Sequence, residues 1–289
     1  MTAQAAALAL ALLLAAACAP PAARAQNADE PEPRSALRVC QDPNNMPFSN
    51  LQGEGIENRI AALFGKALGL PVQYYSFPQR MGFVRNTLRM KLPGEDYRCD
   101  IIMGVPVGFD QVAQTQPYYR STYALVINTQ NPALQAVRSP EDFYALPEPQ
   151  RSALRIGLYD RSPATPWVNR HGLVAQAVPY PMLSPNPEQY PGEIIERDLK
   201  GGKIDAAVVW GPIAGYFVHR AGSGQLRALA LPSEPGVRFD YEVAMGVRYG
   251  EKAWQAQVQQ LLVSHRTEID AILREFHVPL LPPAAAAKN

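Results

Sequence analysis

The chain has 289 residues, of which 47% are hydrophobic and 18% are charged, and its formal net charge at pH 7 is +1. This composition is typical of a globular protein and excludes a largely disordered chain. Because the charges nearly balance and no basic run occurs, the sequence also argues against nucleic acid or an anionic lipid surface as a partner.

The N-terminal segment predicts export. Residues 5–17 are an uninterrupted run of alanine and leucine, too short to span a bilayer, and a small-x-small sequence at 23–25 provides a signal-peptidase site. We therefore interpret 1–25 as a signal peptide, whose removal leaves 26 Lys and Arg against 26 Asp and Glu. Cys18 leaves a lipoprotein alternative open. No other stretch is long enough to cross a membrane, so a periplasmic location is expected.

The next segment predicts an α/β unit. Apolar residues of 55–68 fall on one helical face, and Gly69 followed by Pro71 ends the helix. After a flexible leader at 26–35, we predict a strand at 37–40, a helix at 55–68, a strand at 72–75, a helix at 80–91 and strands at 100–105 and 123–128. Repeats of this kind form a parallel sheet, which binds ligands at the ends of its strands.

From Leu154 the pattern begins again. We predict strands at 154–158, 177–180, 204–209, 226–231 and 241–247, helices at 162–172, 190–200 and 213–220, and one long or two broken helices at 253–276. The last helical segment has no sheet of its own, so we expect it to return to the first unit. The predicted fold is α/β and bilobal, with lobe I at 36–128 and 236–281, lobe II at 129–235, two chain crossings near 127–131 and 233–240, and a flexible tail at 282–289.

Candidate binding residues follow the strands of the first unit. Asp42, Asn44 and Asn45 come directly after the first strand, where their side chains either fix the turn or point into a cleft. Three aromatic residues are candidates for apolar cleft walls, with a core position as the alternative: Phe48, Phe77 and Tyr118.

The second unit offers fewer candidates. Asp160, Ser162 and Thr165 surround a predicted helix start, where unpaired N–H groups favour an anion, although capping explains them equally well. The four histidines are scattered and there is no Gly-x-Ser-x-Gly motif, so we expect no metal site, no cofactor and no catalytic residues.

Two cysteines, Cys40 and Cys99, remain after the predicted processing. An oxidising compartment favours pairing them. If Cys40 ends one strand and Cys99 precedes the adjacent parallel strand, however, the two lie several residues apart along the sheet, whereas a disulfide needs Cα atoms within about 7 Å. Both a disulfide and two buried thiols stay open.

Several segments together resemble a known family over nearly the whole mature chain. They are the Asp-Pro-x-x-x-Pro-Phe loop at 42–48, the Cys-Asp-Ile-Ile-Met-Gly strand at 99–104, the Pro-Tyr-Tyr segment at 117–119, the Gly-Leu-Tyr-Asp segment at 157–160 and the Ile-Asp-Ala-Ala-Val-Val-Trp-Gly-Pro segment at 204–212. This order resembles a type II periplasmic solute-binding protein. The segments at 37–49, 55–59, 77–79 and 82–88 resemble more specifically the J proteins of methanol dehydrogenase operons, MxaJ and especially XoxJ.

The resemblance implies a function. Members of this family are non-enzymatic periplasmic partners of the pyrroloquinoline-quinone methanol dehydrogenase (XoxF/MxaF type), and they assist its maturation or activation beside a c-type cytochrome. The XoxJ branch implies a lanthanide-dependent dehydrogenase.

Two departures separate this chain from transporter relatives that bind amino acids. Those relatives hold the ligand carboxylate with an arginine after the third strand, whereas Gly104 to Gln111 contains none. They hold the ligand amine with an aspartate where this chain has Trp210, a further cleft candidate. We therefore expect an apolar cleft that receives a protein segment.

Two alternatives remain open at this stage. The first is a solute-binding protein that delivers a small apolar or acidic ligand to an ABC transporter. The second is an enzyme on the same scaffold, such as a dehydratase, with Asp42 or Glu57 as general acid or base.

Overall fold

A computed structural model of the chain describes residues 33–79, 82–182, 186, 188–222 and 224–283. The predicted signal peptide and most of the predicted leader and tail lie outside this part of the chain. None of the described helices is long and apolar enough to cross a membrane.

The fold contains strands and helices in alternation. The strands are β1 (Leu37–Gln41), β2 (Asn44–Asn45), β3 (Ser49–Asn50), β4 (Val72–Ser76), β5 (Ile101–Pro106), β6 (Ala113–Gln114), β7 (Tyr119–Asn128), β8 (Ile156–Tyr159), β9 (Ala177–Tyr180), β10 (Ala206–Trp210), β11 (Leu226–Ala230) and β12 (Asp240–Val247). The helices are α1 (Ile56–Leu68), α2 (Phe83–Asn86), α3 (Pro140–Tyr144), α4 (Glu148–Ser152), α5 (Ala164–Arg170), α6 (Gly211–Ala221), α7 (Lys252–Ser264) and α8 (Arg266–Glu275), with a 3₁₀ turn at Val174–Gln176 and a π-helix at Ile194–Leu199.

Ten of the twelve described strands join in one mixed sheet with the order β4-β1-β5-β12-β7-β10-β8-β9, and β2 pairs with β3 in a separate two-stranded sheet. β6 pairs with β12, and β11 pairs with β7. The outer strands of both ends are parallel, as the repeated strand–loop–helix pattern predicts, whereas β7 and β12 run antiparallel to their neighbours. The fold is therefore bilobal: lobe I contains β1, β4–β6 and β12, and lobe II contains β8–β11.

Strand β7 connects the two lobes. Its residues 119–122 pair with β12 of lobe I, and its residues from Tyr123 onward pair with β10 and β11 of lobe II. Strand β7 is thus one chain crossing between the lobes. The chain returns from lobe II to lobe I in the segment between β11 and β12. The lobe boundaries after residues 128 and 235 stay a prediction.

Each lobe has its own apolar core. In lobe I the predicted apolar face of α1, with Ile60 and Phe64 fully buried, packs with Trp254 of α7 and Leu273 of α8. Lobe II is centred on Trp167 and Phe143, and Phe239, which follows the predicted boundary at 235, packs in the same cluster. The C-terminal helices therefore cover lobe I, as expected from their lack of a sheet of their own.

Two of the predicted helices differ from those observed, and the alternative left open for 253–276 is resolved. The helix predicted at 80–91 is only α2, because Thr87 leaves the helical conformation and its hydroxyl donates to the Phe83 carbonyl at 2.6 Å. The helix predicted at 190–200 is a π-helix over Ile194–Leu199. Of the two alternatives for 253–276, the broken pair is correct, with the break at His265.

The structure contains the Cys40–Cys99 disulfide, with the two Cα atoms 5.3 Å apart. The geometric objection assumed that the chain before β5 continues straight. Instead, residues 98 and 100 lie in bends, while Val39 of β1 already pairs with Ile101. The bends return Cys99 toward Cys40.

Candidate functional site

Two adjoining cavities lie between the lobes. The first has a volume of about 260 Å³ and the second about 340 Å³. Gln79, Tyr123 and Trp210 line both cavities, so these side chains form the partition between them. The second volume is within the range of small-ligand sites.

Six of the ten predicted site residues line these cavities. Asp42, Asn44, Asn45 and Ser162 line the first cavity, Phe48 lines the second, and Trp210 lines both. The loop after β1 and the end of β10 therefore lie at one cleft, as expected for the ends of strands in such a sheet.

The other four predicted residues do not line either cavity. Tyr118 is 2% exposed in the lobe I core, while its neighbour Tyr119 reaches the second cavity. Phe77 packs against the cluster around the disulfide. Asp160 accepts a hydrogen bond from the Met182 N–H at 2.6 Å and, like Thr165, is exposed. The structure therefore does not bring these four side chains to the two cavities, and their role as cleft walls or anion ligands stays a prediction.

The loop after β1 both fixes its own turn and lines the cleft. The Asp42 carboxylate accepts hydrogen bonds from the Asn44 N–H at 2.8 Å and from the Gln79 N–H. The Asn45 amide donates to the Gln79 side chain at 2.8 Å. The sequence left open whether these residues fix the turn or face a cleft, and in the structure they do both.

Direct contact between the lobes occurs at the rim. The Asn44 amide of lobe I donates to the Glu188 carbonyl at 3.1 Å. Met46 and Phe48, from the same loop, pack against apolar clusters of both lobes. The lobes therefore meet across the cleft.

An aromatic triad of Tyr123, Trp210 and Tyr241 forms the wall of the second cavity. Their ring centroids are 5.4 Å apart for Tyr123 and Trp210, 6.0 Å for Trp210 and Tyr241, and 6.3 Å for Tyr123 and Tyr241. Burial raises the pKa of Tyr123 to about 12. Tyr123 and Tyr241 were not predicted as site residues, although each begins a predicted strand beside a predicted crossing, which was the available signal.

Glu57 places a carboxyl group in the second cavity. Burial, and secondarily the nearby Asp42 carboxylate, raises the pKa of Glu57 to about 8. The carboxylate lies beside Gly104, whose φ is +73°, and a β-carbon there would lie 2.5 Å from the Glu57 Oε1 atom. From the sequence, Glu57 was a candidate only as the general acid or base of the enzyme alternative.

Lobe II contributes polar groups that already have partners. The Tyr159 hydroxyl donates to the Pro191 carbonyl at 2.7 Å, and Arg197 forms ion pairs with Glu193 at 3.3 Å and Asp198 at 2.9 Å. These polar groups on the wall of the first cavity therefore satisfy one another. Within the described part of the chain, no group of three or more His, Cys, Asp or Glu side chains could hold a metal ion.

Comparison with known proteins found relatives that match most of the chain. No protein-family model matches it. The protein MoxJ of Paracoccus denitrificans is 29% identical over 264 residues, which cover 85% of this chain and 89% of MoxJ. The crystal structure of MxaJ from Methylophaga aminisulfidivorans is 21% identical with a TM-score of 0.68, covering 85% of this chain and 100% of MxaJ, and shows the same fold.

A second solved structure is more similar in sequence. The periplasmic binding protein XoxJ from Methylobacterium extorquens AM1 is 33% identical with a TM-score of 0.67, and the match covers 86% of this chain and 100% of XoxJ. The motifs that suggested the resemblance are thus accompanied by an alignment over the whole of XoxJ. The chain belongs to the MxaJ/XoxJ family of periplasmic binding proteins.

Proposed function

We propose that this protein is a non-enzymatic periplasmic accessory protein of methanol oxidation. In this proposal it docks on a methanol dehydrogenase that contains pyrroloquinoline quinone, beside a c-type cytochrome, and assists maturation or activation of that enzyme. Its relation to MoxJ and XoxJ supports this class of partner. The identity of 33% to XoxJ favours the lanthanide-dependent form of the dehydrogenase.

The position of Trp210 is the observation that carries the proposal. Its side chain packs against the apolar clusters of both lobes and lines both cavities. An occupant that displaces the ring changes the packing of both lobes at once, so binding is coupled to their relative position. Aromatic side chains at such a position are typical anchors for a protein segment.

The lobes, which we take to end at residues 128 and 235, are the moving parts in this mechanism. β7 and the segment before β12 are the two connections about which they close. The Asn44–Glu188 contact at 3.1 Å links the two lobes across the cleft. An inserted dehydrogenase segment replaces this contact, and the change in lobe position then favours the enzyme conformation that takes up or retains its cofactor.

The test uses the processed chain and the methanol dehydrogenase apoenzyme of the same organism. Light scattering measures complex formation, with the lanthanide and the quinone added in turn, and a dye-linked assay measures specific activity. Trp210→Ala tests the cleft, and Tyr249→Ala, which removes a ring that is 60% exposed outside both cavities, is the matched control.

We expect a complex with raised specific activity that Trp210→Ala weakens and Tyr249→Ala leaves intact. Complex formation that is insensitive to Trp210→Ala would overturn docking through the cleft. If no complex forms and the activity is unchanged, the accessory function is wrong, and a thermal-shift screen of metabolites then tests the transporter alternative.

A further inference from the structure

We propose that the second cavity is a binding site for an organic ammonium group, with the Glu57 carboxylate as its counter-ion and the aromatic triad as its wall. A free alkylammonium ion and the side chain of a lysine share this chemistry. The inference goes beyond the proposed function, because it concerns the group that the cavity holds and not the molecule that brings it.

The first observation is that the Glu57 carboxylate has no partner. Within the described part of the chain, neither a hydrogen bond nor an ion pair reaches it, and the nearest charge that acts on it is the carboxylate of Asp42. Glu57 is half-buried and lines the second cavity. An unpaired carboxylate among aromatic rings is costly unless a cation or a proton compensates for it.

The structural role of a helix-capping acid does not explain Glu57. It lies in the first turn of α1, but Asn58 supplies the cap: its Oδ1 atom accepts from the Gly55 N–H at 3.1 Å and from the Asn50 N–H at 3.2 Å. The backbone N–H of Glu57 donates to the Phe48 carbonyl at 2.8 Å. The helix end is therefore satisfied without the Glu57 carboxylate, which is left to the cavity.

The second observation is that the backbone makes room for this carboxylate. Gly104 interrupts β5 with a φ of +73°, and any β-carbon there would overlap the Glu57 Oε1 atom. Glycine at this point of a strand marks a close approach of another group to the backbone. Here that group is the Glu57 carboxylate at the edge of the cavity.

The third observation concerns the wall of the second cavity that the aromatic triad forms. The rings of the aromatic triad meet at angles of 60° to 73°, so their faces point in different directions around the cavity. Faces of tyrosine and tryptophan attract ammonium and guanidinium groups. One such contact already exists at the rim, where the Arg238 guanidinium lies 4.8 Å from the Tyr241 ring centroid.

The charge balance of the cleft favours the same sign of ligand. Among the described residues that line the two cavities, Asp42, Glu57 and Glu193 are acidic and Arg197 is basic. Arg197 is already paired with Glu193 and Asp198. The cleft therefore attracts a cation and repels the acidic ligand of the transporter alternative.

Titration calorimetry on the processed chain at pH 8.5 tests the proposal with probes of equal length and different charge. The probes are n-butylammonium, butan-1-ol and butyrate, together with tetramethylammonium and N-acetyl-lysine N-methylamide. Glu57→Gln removes the counter-ion, and Glu54→Gln, an exposed carboxylate three residues earlier, is the matched control.

We expect saturable binding of at least one ammonium probe, with butan-1-ol and butyrate bound at least about tenfold more weakly than n-butylammonium where that probe binds. Glu57→Gln should lower the affinity at least about tenfold, and Glu54→Gln should change it less than about twofold. Binding of the lysine derivative alone assigns the group to a polypeptide, and binding of the small amines alone assigns it to a metabolite.

Either of two results would overturn the inference. One is that no ammonium probe binds, and the other is that Glu57→Gln binds as tightly as the parent chain. Because the dehydrogenase is absent from this experiment, its failure leaves complex formation with that enzyme unaffected.

Discussion

The Oε1 atom of Glu57 lies so close to Gly104 that a β-carbon at residue 104 would be only 2.5 Å from it, which is shorter than a van der Waals contact. Gly104→Ala should therefore be costly in two ways, through its φ of +73° and through the overlap. Gly108→Ala is the control, since its φ is +88° but no atom lies within 4 Å of the added carbon. We expect urea denaturation to show a loss of about 1 kcal/mol for Gly108→Ala and about 1–3 kcal/mol for Gly104→Ala, where the end of the Glu57 side chain also has to move.

The additional loss of stability in Gly104→Ala, relative to Gly108→Ala, comes from displacement of the Glu57 carboxylate. Adding Glu57→Ala to Gly104→Ala should therefore restore part of the stability. Equal losses for the two glycine variants would show that the carboxylate moves away without cost.

The stability of the chain should depend on pH through Glu57. Its pKa rises from 4.5 to about 8 on folding, mainly through burial, so the folded state binds the extra proton. The corresponding stability is fully present below pH 4.5 and is lost as the pH rises through 8. Glu57→Gln should match the parent chain at pH 5 and be more stable by about 2 kcal/mol at pH 9, where cavity water screens part of the charge.

Denaturation curves at pH 5, 7 and 9 measure this difference. A stability difference that stays constant over this range would mean that Glu57 is ionised throughout. Tyr119 and Tyr123 adjoin the same cavity, but burial raises the pKa of both, so neither of them titrates below pH 9.

Alanine variants of Trp210 and Trp254 should distinguish a side chain that binds a ligand or partner from one that only packs in the core. Trp254 is 2% exposed in the lobe I core, and its indole N–H donates to the Asp100 carbonyl at 3.0 Å. Trp254→Ala should cost about 3–5 kcal/mol of stability. Trp210 is only half-buried, so Trp210→Ala should cost about 1–2 kcal/mol while it weakens ligand or partner binding more strongly.

Thermal melting and a binding titration on both variants distinguish these roles. A large drop in melting temperature for Trp210→Ala with unchanged binding would assign this side chain to packing alone.

The disulfide should contribute substantially to stability. Cys40 and Cys99 are 59 residues apart in sequence, and closing a loop of this length in the unfolded chain is worth about 4 kcal/mol. Reductant should therefore lower the melting temperature of the parent chain. The double variant Cys40→Ala/Cys99→Ala should melt at that lower temperature with or without reductant, and a parent chain that is insensitive to reductant would contradict the prediction.

Local patterns in the sequence determined most of the secondary structure and the family. The apolar face of α1 and the strands around it depend on residue periodicity, which neighbouring residues encode. The loop after β1 was predicted to lie at a cleft because ligands bind at the strand ends of such a sheet, and Trp210 was predicted to lie there from the resemblance to solute-binding proteins. These features follow from short stretches of chain, so one sequence is enough to predict them.

The tertiary structure alone decided the chemistry of the cleft. Glu57 lies in an ordinary first helical turn, and its pKa is raised by its burial in the folded chain and by the nearby Asp42 carboxylate. The aromatic triad unites residues that are 31 or more positions apart in the sequence, and the bends before β5 decide the disulfide. Burial and contacts between distant residues depend on how the whole chain packs, because no local periodicity fixes which side chains meet or how much water remains around them.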